Sequence, residues 1–190
     1  MSEVANVFEL GFRGQASSSL TYSATLFWHE WENLRSGSAP LVRLENKIQG
    51  AAYGVEAWGS WQASRNWRLS SGFMTLRKRL ELEPGSTDPQ GVTNPNLSND
   101  AELQWMLRSS LDLAPNHQFD ATVRRVGKLP NPVVTEYIAT DLRYGWRAHR
   151  DLELSLTVRN AFDPEHVEFN AAPERSEIER SFFIAAKLTY

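Results

Sequence analysis

The stretch at residues 151–159, DLELSLTVR, alternates polar and apolar side chains without interruption. Its leucines and its valine fall at every second position, whereas an α-helix would spread the same residues around its axis. Successive side chains of a β-strand point to opposite faces, so this segment has one apolar face and one charged or hydroxyl-bearing face. The stretch therefore predicts a strand that separates two different environments.

The same period of two recurs along the chain and predicts eight further strands. Aromatic and aliphatic residues occupy one face of these segments, and arginines, acids and small polar residues occupy the other. No segment shows the period that would indicate a convincing amphipathic helix. The further strands are predicted at residues 4–13, 18–34, 47–63, 66–82, 102–113, 118–127, 134–147 and 177–190.

The links between the predicted strands alternate in length. Short turns are predicted near 14–17, 64–66, 114–117 and 148–150, and longer links rich in Pro, Gly, Ser and Asn at 35–46, 83–98, 128–133 and 163–175. Together with strands longer than the ~5–6 residues of globular sheets, this pattern is typical of an outer-membrane barrel with short periplasmic turns and long external loops. The aromatic residues expected to form an interfacial girdle beside the short turns are Trp61, Trp67, Tyr144, Trp146 and Tyr190.

Composition limits the class of protein. The chain is 41% hydrophobic and 23% charged with a mean hydropathy of -0.45, which suits a barrel because lipid-facing and lumen-facing residues average out. No apolar run reaches the ~20 residues of a spanning helix, and a net charge of -3 argues against a nucleic-acid partner. The N-terminus has no signal-peptide pattern, so the chain is expected to be a mature form or a part of an exported protein.

Two other classes of protein are less compatible with the pattern. A soluble β-sandwich or lipocalin-like barrel also has alternating strands, but it would bury the apolar face and rarely shows strands this long. An enzyme is not expected, because His29-Glu30-Trp31-Glu32 lacks the second histidine of a zinc motif and no nucleophile elbow, P-loop or dinucleotide fingerprint occurs. We expect neither a cofactor nor a bound metal ion.

Three parts of the sequence resemble the C-terminal barrel region of TonB-dependent receptors. The first is YGVE at 53–56 with WRLSSG at 67–72. The second comprises DLRYGW at 141–146, LELSL at 152–156 and VRNAFD at 158–163, where Ala161 stands in place of the usual Leu. The third is the terminal strand with its aromatic end, Tyr190. The resemblance runs from Glu9 to the end of the chain.

The resemblance implies an all-β fold, namely an antiparallel up-and-down transmembrane β-barrel with about nine strands present. It also implies the Gram-negative outer membrane and uptake of iron–siderophore or cobalamin-type metal chelates, energised through the TonB complex. Such receptors have about 22 strands and an N-terminal plug with a TonB box. Neither plug nor box is recognised here, so residues 1–190 are expected to be the C-terminal portion of the barrel, lacking the plug.

A different class remains open, namely a small stand-alone outer-membrane barrel of about eight to ten strands with a structural or hydrolase role. Strand parity favours the fragment, because complete single-chain barrels have an even number of strands and both ends in the periplasm. If the chain is part of a receptor, its expected partners are outer-membrane lipid, the barrel assembly machinery and a metal-chelate ligand, with no nucleic acid. The terminal-strand residues expected to form the assembly signal are Phe182, Ile184, Leu188 and Tyr190.

Candidate functional residues follow from the predicted faces and loops. Aromatic and arginine side chains on external loops suit a flat anionic chelate, and the candidates are Trp31, Arg35, Arg43, His166, Phe169 and Arg175. Residues expected to face the lumen are Arg108, Arg124, Asp141, Arg143 and Arg159. These charges either contact a plug and guide the ligand or simply pair with one another in a solvated lumen.

Overall fold

The structure, a computed structural model, describes residues 2–40, 43–170 and 173–189. Thirteen strands lie in these ranges, and nine of them form one antiparallel sheet. The strands are β1 (Val4–Ser17), β2 (Leu20–Ser36), β3 (Glu45–Ser64), β4 (Trp67–Leu82), β5 (Leu103–Ala114), β6 (His117–Val126), β7 (Leu129–Pro130), β8 (Val133–Val134), β9 (Tyr137–His149), β10 (Leu152–Arg159), β11 (Glu165–Val167), β12 (Glu177–Glu179) and β13 (Ser181–Leu188).

The large sheet has the order β1-β2-β3-β4-β5-β6-β9-β10-β13, so each strand pairs with the next large strand along the chain. All nine predicted strands are present in this up-and-down meander. The pairs β7–β8 and β11–β12 form two small ribbons inside the long connections. Within the described ranges β1 and β13 do not pair with each other, and the sheet is open along these two edges.

The pairing register sorts the side chains onto two faces, because directly opposed residues of an antiparallel pair lie on the same side of the sheet. One row across β4, β5, β6, β9 and β10 consists of Arg68, Ser110, Asp120, Arg143 and Thr157. The neighbouring row, on the opposite side, consists of Trp67, Leu111, Phe119, Tyr144 and Leu156. We call these sides the polar face and the apolar face. They match the faces predicted from the alternation.

Few apolar side chains are buried, and many large ones are exposed, unlike in a soluble protein. The fully buried apolar residues among those described are all small or medium-sized: Ile48, Ala52, Ala101, Val134 and Ala139. By contrast, Leu10 is 72% exposed and Ile184 is 86% exposed, and both lie on the apolar face. Contiguous exposed apolar surface of this extent marks contact with another apolar phase. A soluble sandwich would have covered this face with a second layer.

The structure departs from the sequence prediction at three places. The first turn lies at Ser18–Ser19 rather than at 14–17, because a register shift between Gln15 and Ser17 extends β1. The predicted strand 177–190 is divided at Arg180, whose backbone N–H donates to Pro164 O at 2.8 Å, outside the sheet ladder. Tyr190 lies outside the described residues.

The third difference is a helical turn in the connection after β4. It contains a 3-10 helix, Gly91–Thr93, and a four-residue α-helix, Pro95–Ser98, which are too short to produce a periodic sequence pattern. Among the described residues, no helix has the length and hydrophobicity that crossing a membrane requires.

Two adjacent alanines of β13 provide a matched test of the faces. Ala186 pairs with Leu154 on the apolar face, and Ala185 pairs with Ser155 on the polar face. In the full-length protein refolded into lipid vesicles, we expect Ala186→Arg to lower the free energy of unfolding by roughly 1–4 kcal/mol, depending on depth, because it places a charge in hydrocarbon. Ala185→Arg should change the free energy much less. Equal losses in urea titrations would show that the faces are misassigned.

Candidate ligand-binding surface

A chain of paired charges crosses the polar face through β5, β6, β9 and β10. Arg143 bridges two acids, with Nη1 3.3 Å from Asp120 Oδ2 and Nη2 2.5 Å from Glu153 Oε1. Asp120 also accepts a hydrogen bond from Ser110 Oγ at 2.7 Å and lies 3.7 Å from Arg108 Nη2. Asp120, Arg143 and Glu153 are only partly exposed, Arg108 is exposed, and the charges of the four largely satisfy one another. The geometry therefore favours mutual pairing as the principal role of this part of the polar face.

The other three residues predicted to face the lumen lie on the same face, toward the long loops. Arg124 Nη2 donates to Glu168 Oε1 at 2.8 Å. Asp141 Oδ1 accepts the backbone N–H of Asn160 at 3.1 Å, and the Arg159 guanidinium lies 4.9 Å from the Phe183 ring centroid. Two of these groups, Arg124 and Asp141, hold the last long loop against the sheet. The assignment of the polar face to the lumen of a barrel stays a prediction.

Asn160 anchors this loop, residues 160–180, where the chain leaves β10. It has a φ of 52°, a left-handed conformation that asparagine tolerates better than most residues, and its side chain is almost completely buried. Its Nδ2 donates to Ile178 O at 3.2 Å, and its carbonyl accepts from Arg180 Nε at 3.1 Å. The Asn160-Ala161-Phe162-Asp163 motif therefore fastens both ends of the loop together.

His166 lies at the centre of a buried polar cluster in the same loop. One ring nitrogen is 3.0 Å from Asp163 Oδ2, and the other is 3.0 Å from Glu168 Oε1. The ring stacks on Tyr137 with centroids 4.2 Å apart, and the side chain is only 7% exposed. The structure thus places His166 inside the loop, where it holds two carboxylates rather than an open ligand-facing surface. Sequence reasoning identified the histidine but missed its partners.

The pKa of Glu168 is subject to opposing effects within this cluster. Burial raises the pKa of Glu168, but the hydrogen bond from His166, the positive charge of Arg124 and the hydroxyl of Tyr137 together lower it more. The net pKa of Glu168 therefore lies below the ordinary value of 4.5. At neutral pH the group is a carboxylate that links the loop to β6 and β9.

The candidates near β2 and β3 have a different environment. Trp31 lies on the polar face, where its ring meets His29 at a centroid distance of 6.2 Å. Arg35 and Arg43 are exposed, and Arg35 lines an open cleft of about 580 Å³ between the two long loops that follow β2 and β4. One predicted ligand residue, Arg35, thus lines a concave surface formed by both long loops.

Phe169 is 46% exposed and Arg175 is exposed, and both belong to the last loop. The strands that carry the two groups of candidates, β2 and β10, are six positions apart in the sheet, which corresponds to about 29 Å. The structure therefore brings Arg35 and Arg43 into one region and Phe169 and Arg175 into another. It does not unite the six candidates in one pocket.

The loops that follow β2 and β4 are clipped together by Asp88, which the sequence analysis did not single out. Its carboxylate accepts the backbone N–H groups of Gly37 at 2.5 Å, Gln90 at 2.9 Å and Gly91 at 3.2 Å. The bond from Gly37 lowers the pKa of Asp88 despite the opposing effect of burial, and the other two bonds add to it. A Ser-Thr-Asp-Pro stretch signals a local turn, but no local pattern reveals the contact with Gly37.

No group of three or more His, Cys, Asp or Glu side chains in the described ranges is arranged to hold a metal ion. The exposed candidate residues carry arginine and aromatic side chains. These groups suit a preformed anionic complex.

Lowering the pH should weaken the contacts that hold the His166 cluster against the sheet. Because the pKa of Glu168 is lowered in the folded loop, its stabilising contribution is complete above the ordinary value of 4.5 and is lost as the pH falls through the folded pKa. In the detergent-solubilised full-length protein, the protection factor of the Arg180 amide against hydrogen exchange, which corrects for the intrinsic pH dependence of the rate, should fall in acid. Glu168→Gln should lower this protection factor already at neutral pH, whereas Glu174→Gln, in an exposed position, should not. An acid response unchanged by Glu168→Gln would contradict this role.

Comparison with known proteins shows which solved structures share this fold. No protein-family model and no curated protein matches the chain. Among solved structures, the siderophore receptor PiuA from Acinetobacter baumannii matches with a TM-score of 0.82 at 21% identity, covering 98% of this chain and 28% of that one. The FrpB iron transporter from Neisseria meningitidis matches with a TM-score of 0.80 at 15% identity, covering 98% and 31%.

The ferric-catecholate import receptor Fiu from E. coli K12 matches with a TM-score of 0.76 at 20% identity, covering 98% of this chain and 27% of that one. The chain thus spans less than a third of the length of each of these three structures. The resemblance inferred from the sequence is confirmed at the level of fold. This chain has the fold of the β-barrel of TonB-dependent receptors, of which its nine-stranded sheet corresponds to one part.

Proposed function

We propose that this chain is part of the barrel of an outer-membrane receptor that takes up iron–siderophore complexes or similar metal chelates in a Gram-negative cell. The observation that carries the proposal is the nearly complete match of its two-faced sheet to the barrels of a siderophore receptor, an iron transporter and a ferric-catecholate receptor. The exposed apolar face suits hydrocarbon, and the paired charges suit a water-filled interior.

The chain's own contribution to uptake would be a rigid wall and a set of external loops. Sheet ladders fix the wall, while Asp88 and the His166 cluster hold the loops against one another and against the sheet. A chelate approaching from outside would meet Arg35 and Trp31 on one side and Phe169 and Arg175 on the other. Recognition by such loops requires no chemical step, and the solved structures with this fold are named as transport receptors rather than enzymes.

Energy for release would come through the TonB complex acting on a plug, as in the receptors that the sequence resembles. We assign no residue of this chain to that step. The open edges of β1 and β13 are compatible with further strands of a larger barrel. A stand-alone barrel would instead require these edges to pair with each other.

Uptake in cells tests this function. Iron-limited cells that lack the full-length protein should lose transport of at least one radioactive ferric chelate, and the native gene should restore it. Arg35→Gln should weaken chelate binding, because it removes the exposed guanidinium of the cleft, whereas Lys128→Gln, an exposed residue outside the cleft, should leave binding unchanged. Undiminished uptake of every chelate in the deletion strain would contradict the proposal.

The terminal strand is proposed to be the signal for the barrel assembly machinery. Phe182, Ile184 and Leu188 lie on the apolar face of β13 and are strongly exposed. Because β13 is an edge strand of the sheet, it also has one backbone edge free for pairing. Tyr190→Asp in the full-length protein should lower the amount inserted in the outer membrane, because it removes an interfacial aromatic anchor and adds a charge. Heat-modifiable mobility measures insertion, and chelate affinity per folded molecule should hardly change. Normal insertion would count against the signal.

A further inference from the structure

Two short turns at the same end of the sheet lie side by side. One joins β5 to β6 at Pro115–Asn116, and the other joins β9 to β10 at Arg150–Asp151. Because β6 and β9 are neighbours, Arg147 N–H donates to Asn116 O at 2.8 Å and ties the first turn to β9, the strand that leads into the second turn. This end of the sheet therefore presents one continuous rim rather than separate hairpin tips.

Three rings stack where the rim meets the apolar face. His117 pairs with Trp146 across β6 and β9, and their rings are nearly parallel, 3° apart in plane and 6.2 Å apart in centroid. The His117 ring also stacks on Tyr144, with centroids 5.9 Å apart, and its Nδ1 lies 2.6 Å from the Tyr144 hydroxyl. Rings with an apolar body and a polar edge suit the boundary between hydrocarbon and head groups.

The adjoining turn adds exposed positive charge. Arg150 is 85% exposed, and its Nε donates to Asp151 Oδ2 at 3.1 Å, while His149 Nδ1 lies 3.5 Å from the same oxygen. Asp151 thus orients both side chains, yet a guanidinium has five N–H donors and this bond uses one of them. Arg65, in the turn between β3 and β4, adds a further exposed guanidinium at this end.

The opposite end of the apolar face is different. There two outward arginines are paired with acids, because Arg77 pairs with Glu102 and Arg125 Nη2 lies 2.6 Å from Glu136 Oε2. A third, Arg79, lies over the Tyr53 ring, 5.9 Å from its centroid. The Trp28 indole N–H donates to a further acid, Glu30, at 3.0 Å. At the border of the apolar face, the short-turn end therefore offers further guanidinium donors beside stacked rings, whereas Arg77 and Arg125 at the opposite end are engaged by acids.

We propose that the aromatic–basic rim formed by His117, Tyr144, Trp146, His149 and Arg150 binds the head group of an anionic phospholipid. The phosphate would accept hydrogen bonds from the Arg150 guanidinium and the His149 ring, and the acyl chains would lie on the apolar face below the three stacked rings. The inference rests on the proposed function, which places the apolar face in the membrane with the short turns on the periplasmic side. Phosphatidylglycerol is the lipid with which we would probe it.

The experiment counts the lipids that stay bound. Full-length protein in detergent is equilibrated with equal amounts of phosphatidylglycerol and phosphatidylethanolamine and examined by native mass spectrometry. We expect phosphatidylglycerol to be enriched over phosphatidylethanolamine among the lipids bound to the native protein. In the double variant Arg65→Gln, Arg150→Gln this enrichment should fall about fivefold for each arginine that contacts the lipid. The matched double variant Arg77→Gln, Lys128→Gln removes two positive charges near the long-loop end and should retain the enrichment.

Absence of enrichment in the native protein, or equal losses in the two double variants, would overturn the proposed site, the second result by showing a general charge effect. Heat-modifiable mobility after refolding into vesicles is recorded for every sample. A native protein that inserts without preferring phosphatidylglycerol contradicts only the rim. A native protein that inserts into no vesicle contradicts the proposed function as well.

Discussion

Backbone hydrogen bonding is the constraint on which the rest of this structure depends. In hydrocarbon no water can satisfy an N–H or C=O group, so each strand of a membrane sheet must pair with its neighbours along its length. The meander achieves this with consecutive antiparallel hairpins, from β1 to β13. Once the strands pair this way, every side chain is committed to one of two faces, and the alternation of residues such as Leu154 and Ser155 becomes obligatory.

This constraint explains why so much of the fold could be predicted. The alternation of polar and apolar residues is a local property that can be read from each segment by itself. A shift of one residue in the pairing register would move every side chain of a strand to the wrong face, so the register is strongly constrained. The nine strands and both faces of the sheet therefore follow from the sequence. Details that depend on distant partners could not be predicted in the same way. The strand break at Arg180 requires Pro164 and Asn160, and the loop clip at Asp88 requires Gly37. Neither pairing has a periodic signature.

The candidate site shows the same division between residue chemistry and residue environment. The predictions selected arginine and aromatic residues on long loops, and Arg35, Phe169 and Arg175 are indeed exposed there. His166 has suitable chemistry but is enclosed by Asp163, Glu168 and Tyr137, so its contribution to any ligand is indirect, through the shape of the loop. Sequence could suggest which groups attract an anion, but only the structure shows which of them are already engaged.

The two ends of the sheet need different kinds of contact, and the charged side chains at each end are arranged accordingly. At the long-loop end, ion pairs and backbone clips such as Asp88 with Gly37 give irregular segments a defined shape, which a recognition surface needs. At the short-turn end the tight hairpins need only local contacts, such as Asn66 Nδ2 donating to Asp112 O at 3.0 Å and Arg150 Nε donating to Asp151 Oδ2 at 3.1 Å. Arg150 remains 85% exposed there, and the His117 ring stacks with Tyr144 and Trp146 on the apolar face, which is the arrangement on which the proposed lipid site rests.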